Sequence, residues 1–228
     1  MTTPTPPVAD PETRGLRLVA VLLMLTVVSG LIDAVAYLGL GRVFTANMTG
    51  NVVVLGFAAA GAPGFSVPHT ATSLVCFLLG AVAGGRLAAR HRAGSRRGWA
   101  RLTLTAEAVL LGVSAVVAFV WPDTSDTRYA LIALTAFAMG LRNATVRKLG
   151  VPDLTTTVLT MTLTALASDS RLGDGTGRHA GRRTASALAM AGGACLGAWL
   201  VLRHGLGIPL LIAALASGVL AVLASGRE

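Results

Sequence analysis

Between residues 44 and 51 the sequence reads Phe-Thr-Ala-Asn-Met-Thr-Gly-Asn, which gathers two amides, two hydroxyls and a glycine at the edge of an apolar run. Amide and hydroxyl groups bind a solute or an ion without carrying charge, and Gly50 lets the backbone break its helix or approach a ligand closely. The same groups have an architectural use, because a helix broken at membrane depth frees N–H and C=O groups that need partners. Asn47, Thr49, Gly50 and Asn51 are therefore candidate binding residues, with backbone support as the alternative. A second polar stretch, Leu154-Thr-Thr-Thr-Val-Leu-Thr-Met-Thr162, offers the hydroxyls of Thr155, Thr156, Thr157 and Thr160. Threonines in membrane helices often bond their own helix carbonyls, so this stretch gains weight only from its match to the first. Asn47-Met-Thr49 also fits a glycosylation sequon, a chance match at membrane depth.

Asp33 is the sharpest single residue. It lies about two-thirds through the first apolar run, where a carboxylate costs about 2.5–3.5 kcal/mol on insertion scales. Such groups face a bundle interior or a cavity and often couple ions or protons. Arg142 is similarly deep in a later run, and an Asp33–Arg142 pair is conceivable, either for coupling or as a structural ion pair. Glu107 reads as interfacial. His69, His91, His179 and His204 lie in loops or at span ends, at spacings that suggest neither a metal site nor a triad. Phosphate loops, nucleophile elbows and paired carboxylates are missing from the sequence. The expectation is a protein that is not an enzyme, with no cofactor and no metal. Cys76 and Cys195 lie inside apolar runs without zinc or redox spacing and read as packed thiols.

These residues must be positioned by membrane helices. Apolar residues make up 54% of the 228 positions and charged ones only 13%, half the usual soluble share of about 25%. Mean hydropathy is +0.70. Eight apolar segments can be drawn, at about 17–40, 43–60, 68–88, 102–121, 129–149, 154–168, 185–203 and 207–225. A crossing takes roughly 20 residues, and the second and sixth segments are short and polar at their starts. The Arg86–Arg101 loop is the strongest cytoplasmic signal under the positive-inside rule. Keeping the Arg171–Arg183 loop on the same side requires both short segments to dip in and return. The expected fold is an all-α polytopic transmembrane bundle of about six crossings plus two re-entrant or broken segments, with both termini cytoplasmic. Residues 1–15 read as a flexible cytoplasmic tail rather than a signal peptide.

The formal charge of +9 sits in the gaps between apolar runs. Those gaps lack interleaved aromatics apart from Trp99, so nucleic acid is not an expected partner. The lipid bilayer is, with anionic headgroups at the arginine-rich loops.

The chain also resembles itself. Gly30-Leu-Ile-Asp33-Ala34 lines up with Gly140-Leu-Arg-Asn143-Ala144 at an offset of 110, and Phe44-Thr45-Ala-Asn-Met with Leu154-Thr155-Thr-Thr-Val at the same offset. Gly80-xxx-Gly84 meets Gly193-xxx-Gly197 at 113. Two membrane repeats follow, 16–121 and 129–225, each with three crossings, so the second is expected to be inverted relative to the first. Inverted halves that each carry a broken polar segment are a pattern of secondary transporters. The alternative source of such similarity is composition alone. The Gly-xxx-Gly pairs favour close helix packing within one chain, and a homodimer is a further possibility for so small a bundle.

On the residues 30–34, 43–51, 140–144 and 155–160 the chain resembles the YoaK-like family of bacterial multi-spanning membrane proteins, over about Leu16 to Ser225. The resemblance implies a polytopic bacterial membrane protein and names no solute. The sequence departs from the family pattern at Met161, where Gly is expected, and at Arg142, where a neutral residue such as Gln is expected. The expected function is a small-solute or ion transporter or channel-like protein of the bacterial inner membrane. Its polar site would comprise Asp33, Asn47, Thr49, Gly50, Asn51, Asn143, Thr156, Thr157 and Thr160. The alternative is a non-transporting scaffold or accessory subunit.

Overall fold

The computed structural model describes residues 11–90, 96–121, 123–149, 159–170, 175 and 180–223. Among them are eight helices and no strand. In chain order these are α1 (Pro11–Gly39), α2 (Met48–Ala59), α3 (Val67–Arg90), α4 (Arg96–Val120), α5 (Ser125–Leu149), α6 (Leu159–Ser168), α7 (Ala180–His204) and α8 (Gly207–Leu223).

The protein is a polytopic helical bundle. Five helices, α1, α3, α4, α5 and α7, are long and apolar enough to cross a membrane. The 17 residues of α8 reach about 25 Å at 1.5 Å per residue, the lower end of a crossing. The 12 residues of α2 and 10 of α6 reach only about 18 and 15 Å, against a hydrocarbon core of about 30 Å. The polar residues that open segment two explain its shortening: α2 starts only at Met48. One boundary differs from the sequence reading. Residues 11–15, expected in a flexible tail, open α1; proline is tolerated at a first helical position.

Two helices form the interior. In α1 67% of the apolar window is buried and in α5 61%, against 17% in α3 and 22% in α7. Helix α3 packs along α5, α7 along α1, and α4 along α8. The outer helices present Leu78, Val116, Leu188, Leu202 and Val222 outward, as expected where lipid rather than water is the solvent. Cys195, expected to be packed, lies on that exposed outer face, whereas Cys76 is half-buried. An apolar run that is hydrophobic all round does not reveal which of its sides turns inward.

Glycines set the close approaches. A side-chain carbon on Gly80 of α3 would run into the Phe137 carbonyl of α5, and one on Gly140 of α5 into the Phe77 carbonyl of α3. Across the bundle, Gly193 of α7 backs onto the Val27 carbonyl of α1, and Gly30 of α1 onto the Met190 carbonyl of α7. One turn along, Gly84 meets Leu141 and Ala144, while Gly197 meets Leu31 and Ala34. Val27, Leu31 and Ala34 precede Phe137, Leu141 and Ala144 by 110 residues, and Phe77 precedes Met190 by 113. The α3–α5 and α1–α7 seams thus use matching positions. Between the seams, Leu31, Ile32, Val35, Leu131, Ile132 and Met139 belong to one buried apolar cluster.

Candidate functional site

Helix α1 ends in a tight reversal. Gly41 at φ +92° and Arg42 at φ +59° both take the left-handed region, which glycine enters freely and arginine only under strain. Residues 43–47 then run without helical hydrogen bonding before α2 begins. Their peptide groups lie at the depth of the α1 carboxylate, where backbone polar groups need protein partners.

Side chains from four helices provide them. Asp33 of α1 accepts through Oδ1 from the backbone N–H of Thr45 at 2.9 Å and of Ala46 at 2.8 Å. Its Oδ2 accepts from the Asn47 side-chain amide. Asn51 of α2 holds Phe44 at both ends: Oδ1 accepts from the Phe44 N–H at 2.8 Å, and Nδ2 donates to its carbonyl. Ser73 of α3 donates to the same carbonyl at 2.6 Å. Asn143 of α5 donates to the Ala46 carbonyl at 3.3 Å. Asp33 and Asn51 are buried, so each bond forms out of competition with water, and those to a carboxylate are the stronger kind.

Gly50 has a packing reason as well: a side chain there would strike the Phe44 ring, 2.6 Å from its nearest carbon. Phe44 in turn lies against Tyr37, with ring centroids 5.0 Å apart. Thr49 is exposed. The Thr45 hydroxyl is buried without a hydrogen-bond partner. Beside the loop, an open depression of about 660 Å³ is lined by Tyr37, Gly41, Arg42, Gly64 and Arg128. The Arg42 guanidinium lies 5.7 Å from the Phe65 ring centroid, within cation–π range.

Of the residues proposed from sequence, Asp33, Asn47, Asn51 and Asn143 converge on this loop, with Gly50 beside them. Thr156 and Thr157 lie outside the described residues. Thr160 is exposed on the first turn of α6, where its carbonyl accepts from the Thr164 hydroxyl at 2.9 Å. Met161 beside it is also exposed. Ser73 was not foreseen; only its place on the inner side of α3, beside Thr70, marks it.

The conceivable Asp33–Arg142 pair does not form. Arg142 donates from Nη1 to Glu107 Oε1 at 3.2 Å and from Nη2 to Ser29 Oγ at 2.7 Å. Glu107, read as interfacial, is fully buried and also accepts from the Ser217 hydroxyl at 2.8 Å. Asp33 is saturated by the loop, and α4 turns Glu107 inward toward α5 and α8.

A model of the family described as "Protein of unknown function (DUF1275)" matches residues 21–223. The chain belongs to this DUF1275 family. It is similar to the UPF0700 transmembrane protein YoaK of Bacillus subtilis (strain 168), at 35% identity over 155 residues. That alignment spans 65% of each chain, so slightly less than two thirds of the relative's length is covered. No solved structure matches. In this DUF1275 member the matched region contains both the pinned loop and the Glu107–Arg142 cluster.

Proposed function

We propose that this protein is a small-solute or ion transporter, or channel-like protein, with its polar site at the pinned loop 44–47. The observation that carries the reading is irregular backbone beside the buried α1 carboxylate, tied to four helices and enclosing an unspent Thr45 hydroxyl. Non-helical backbone at membrane depth occurs where it is buried in protein or lines a water-filled cavity.

The reading includes two inverted halves, 16–121 and 129–225, with α2 and α6 as their re-entrant segments. Support comes from the matched glycine seams: α3 against α5 repeats α7 against α1, position by position. An odd number of crossings per half turns the second upside down, and Asp33 and Asn143 then meet near the midplane. Both termini and the arginine-rich loops face the cytoplasm of a bacterial inner membrane, where those loops contact anionic headgroups. A homodimer is compatible with this arrangement, and nucleic acid is not a partner. The reading is non-enzymatic.

A scaffold or accessory subunit is the second reading. The saturation of Asp33 favours it, since a carboxylate that only supports backbone needs no solute.

Single cysteines decide between them. In a background lacking Cys76 and Cys195, cysteines at Thr45, Asn47, Thr49 and Thr160 are treated with a small charged thiol reagent in intact cells and in inside-out vesicles. Transport predicts labelling of the loop from outside and of Thr160 only from the cytoplasmic side. A loop that stays unlabelled from both sides is a dry support, and the scaffold reading replaces transport.

A further inference from the structure

The second polar cluster of the bundle lies apart from the loop, and its bonds have a common property. Glu107 of α4 and Ser29 of α1 belong to the first half of the chain; Arg142 of α5 and Ser217 of α8 belong to the second. The Arg142–Glu107, Arg142–Ser29 and Ser217–Glu107 bonds all cross between the halves. Met139, whose sulfur lies 2.8 Å from Arg142 Nη2, stands 110 residues after Ser29, at the matching position of the second half. The cluster therefore sits on the boundary between the two halves.

The pair is incompletely bonded. Arg142 and Glu107 are 1% and 0% exposed, yet they share a single contact at 3.2 Å. Glu107 Oε2 and Arg142 Nε are buried with no hydrogen-bond partner. A pair selected only for cohesion gains most from two parallel bonds. Here both bonds to Glu107, from Arg142 and Ser217, fall on Oε1, and the buried Oε2 stays open to take a proton.

We propose that Glu107 is a proton-binding site and that its proton is the ion coupled to relative movement of the halves. A proton from water adds to Oε2, making the carboxyl neutral and ending the ionic attraction to Arg142. The guanidinium keeps its charge. Its other anion is Asp33, one helical turn beyond Ser29 and near enough for the charges to interact. Arg142 of α5 is the charged group facing Glu107; α1 contributes Ser29 and then Asp33, and α8 contributes Ser217 and has no ionisable residue between 207 and 223. Protonation loosens the α4–α5 bond across the halves. Deprotonation restores it.

The coupling part rests on the transport reading; the proton site does not, and the test separates them. Full-length protein in nanodiscs is followed by pH-difference infrared spectroscopy and by the distance between spin labels on the outer faces of α4 and α5. The wild type is expected to gain a protonated-carboxyl band on acidification that Glu107→Gln lacks and Glu107→Asp retains at a shifted frequency. The label distance should change with pH in the wild type and stay at its acid value in Glu107→Gln. If that variant fails to fold, the neutral pair Glu107→Gln/Arg142→Gln takes its place and must lack both band and shift. A band that survives loss of Glu107, or no band in the wild type, overturns the proposal. A titrating Glu107 beside a loop that no reagent reaches keeps the proton site and removes transport. A reachable loop with a silent Glu107 does the reverse.

Discussion

Arg142 and Glu107 approach to 3.2 Å in the middle of the bundle, 35 residues apart in sequence, on neighbouring helices and out of reach of solvent. Each is the other's charge partner. Removing one strands the other in an apolar surround, which in soluble proteins costs about 3–5 kcal/mol. Arg142→Ala and Glu107→Ala should each lower stability by an amount of that order, measured by denaturant titration in mild detergent. The double neutral variant Glu107→Gln/Arg142→Gln should recover most of the loss. Additive losses in the double variant would show that the pair does not act as a unit.

Asp33→Ala removes the acceptor of two backbone N–H groups and one side-chain amide. Each buried donor left unpaired costs about 1–3 kcal/mol. The expected outcome is local: amide hydrogens of Thr45 and Ala46 exchange faster by orders of magnitude, while those of α3 and α5 keep their protection. Peptide-level hydrogen–deuterium exchange reads this directly, and unchanged exchange at residues 43–50 would refute the bracing role of Asp33.

Thr45→Val keeps the shape of the side chain and deletes a buried hydroxyl that has no hydrogen-bond partner. Relief of that desolvation should stabilise the protein by about 1 kcal/mol. If the hydroxyl serves a passing solute, the gain comes with a loss of function, as at other sites where stability and activity compete. A thermal-shift measurement tests the first part, and a destabilised variant would mean the hydroxyl has a partner.

Gly80→Val and Gly193→Val should do equal damage, because each forces a side chain against a backbone carbonyl of a partner helix at matching places in the two seams. Overpacking costs about 1–3 kcal/mol. Gly56 of α2 has nothing within 4 Å of where a side-chain carbon would stand, so Gly56→Ala should gain about 0.5–1 kcal/mol from helix entropy. Melting temperatures of the three variants make the comparison; a harmless Gly80→Val would mean the α3–α5 seam can open.

Asp169, just past α6, bonds to Arg183 of α7, and this hydrogen bond holds its carboxyl below the usual carboxylate range. Because the folded value is depressed, the contact contributes at neutral pH and is lost as pH falls through that lowered value. Protease cleavage near residue 170 should accelerate on acidification in the wild type. In Arg183→Gln it should be fast already at neutral pH, with little further dependence.

The lengths and composition of the apolar runs alone mark a membrane bundle with two short segments, at 43–60 and 154–168, and mark the carboxylate at 33 as an interior group. The sequence also contained the glycine pairs that became the two helix seams. These features are local: the length of an apolar run, a cluster of amides and an acid far from any loop each carry their physical cost within one segment. Tertiary structure decided which groups meet. Asp33 pairs with a loop 12 residues on rather than with Arg142, and Glu107 turns inward to a guanidinium on the next helix. Apolar helices in lipid carry almost no periodic mark of their inner side, so helix rotation and register are fixed only when close-packed glycines bring the helices together. The partner of a buried charge follows from that rotation.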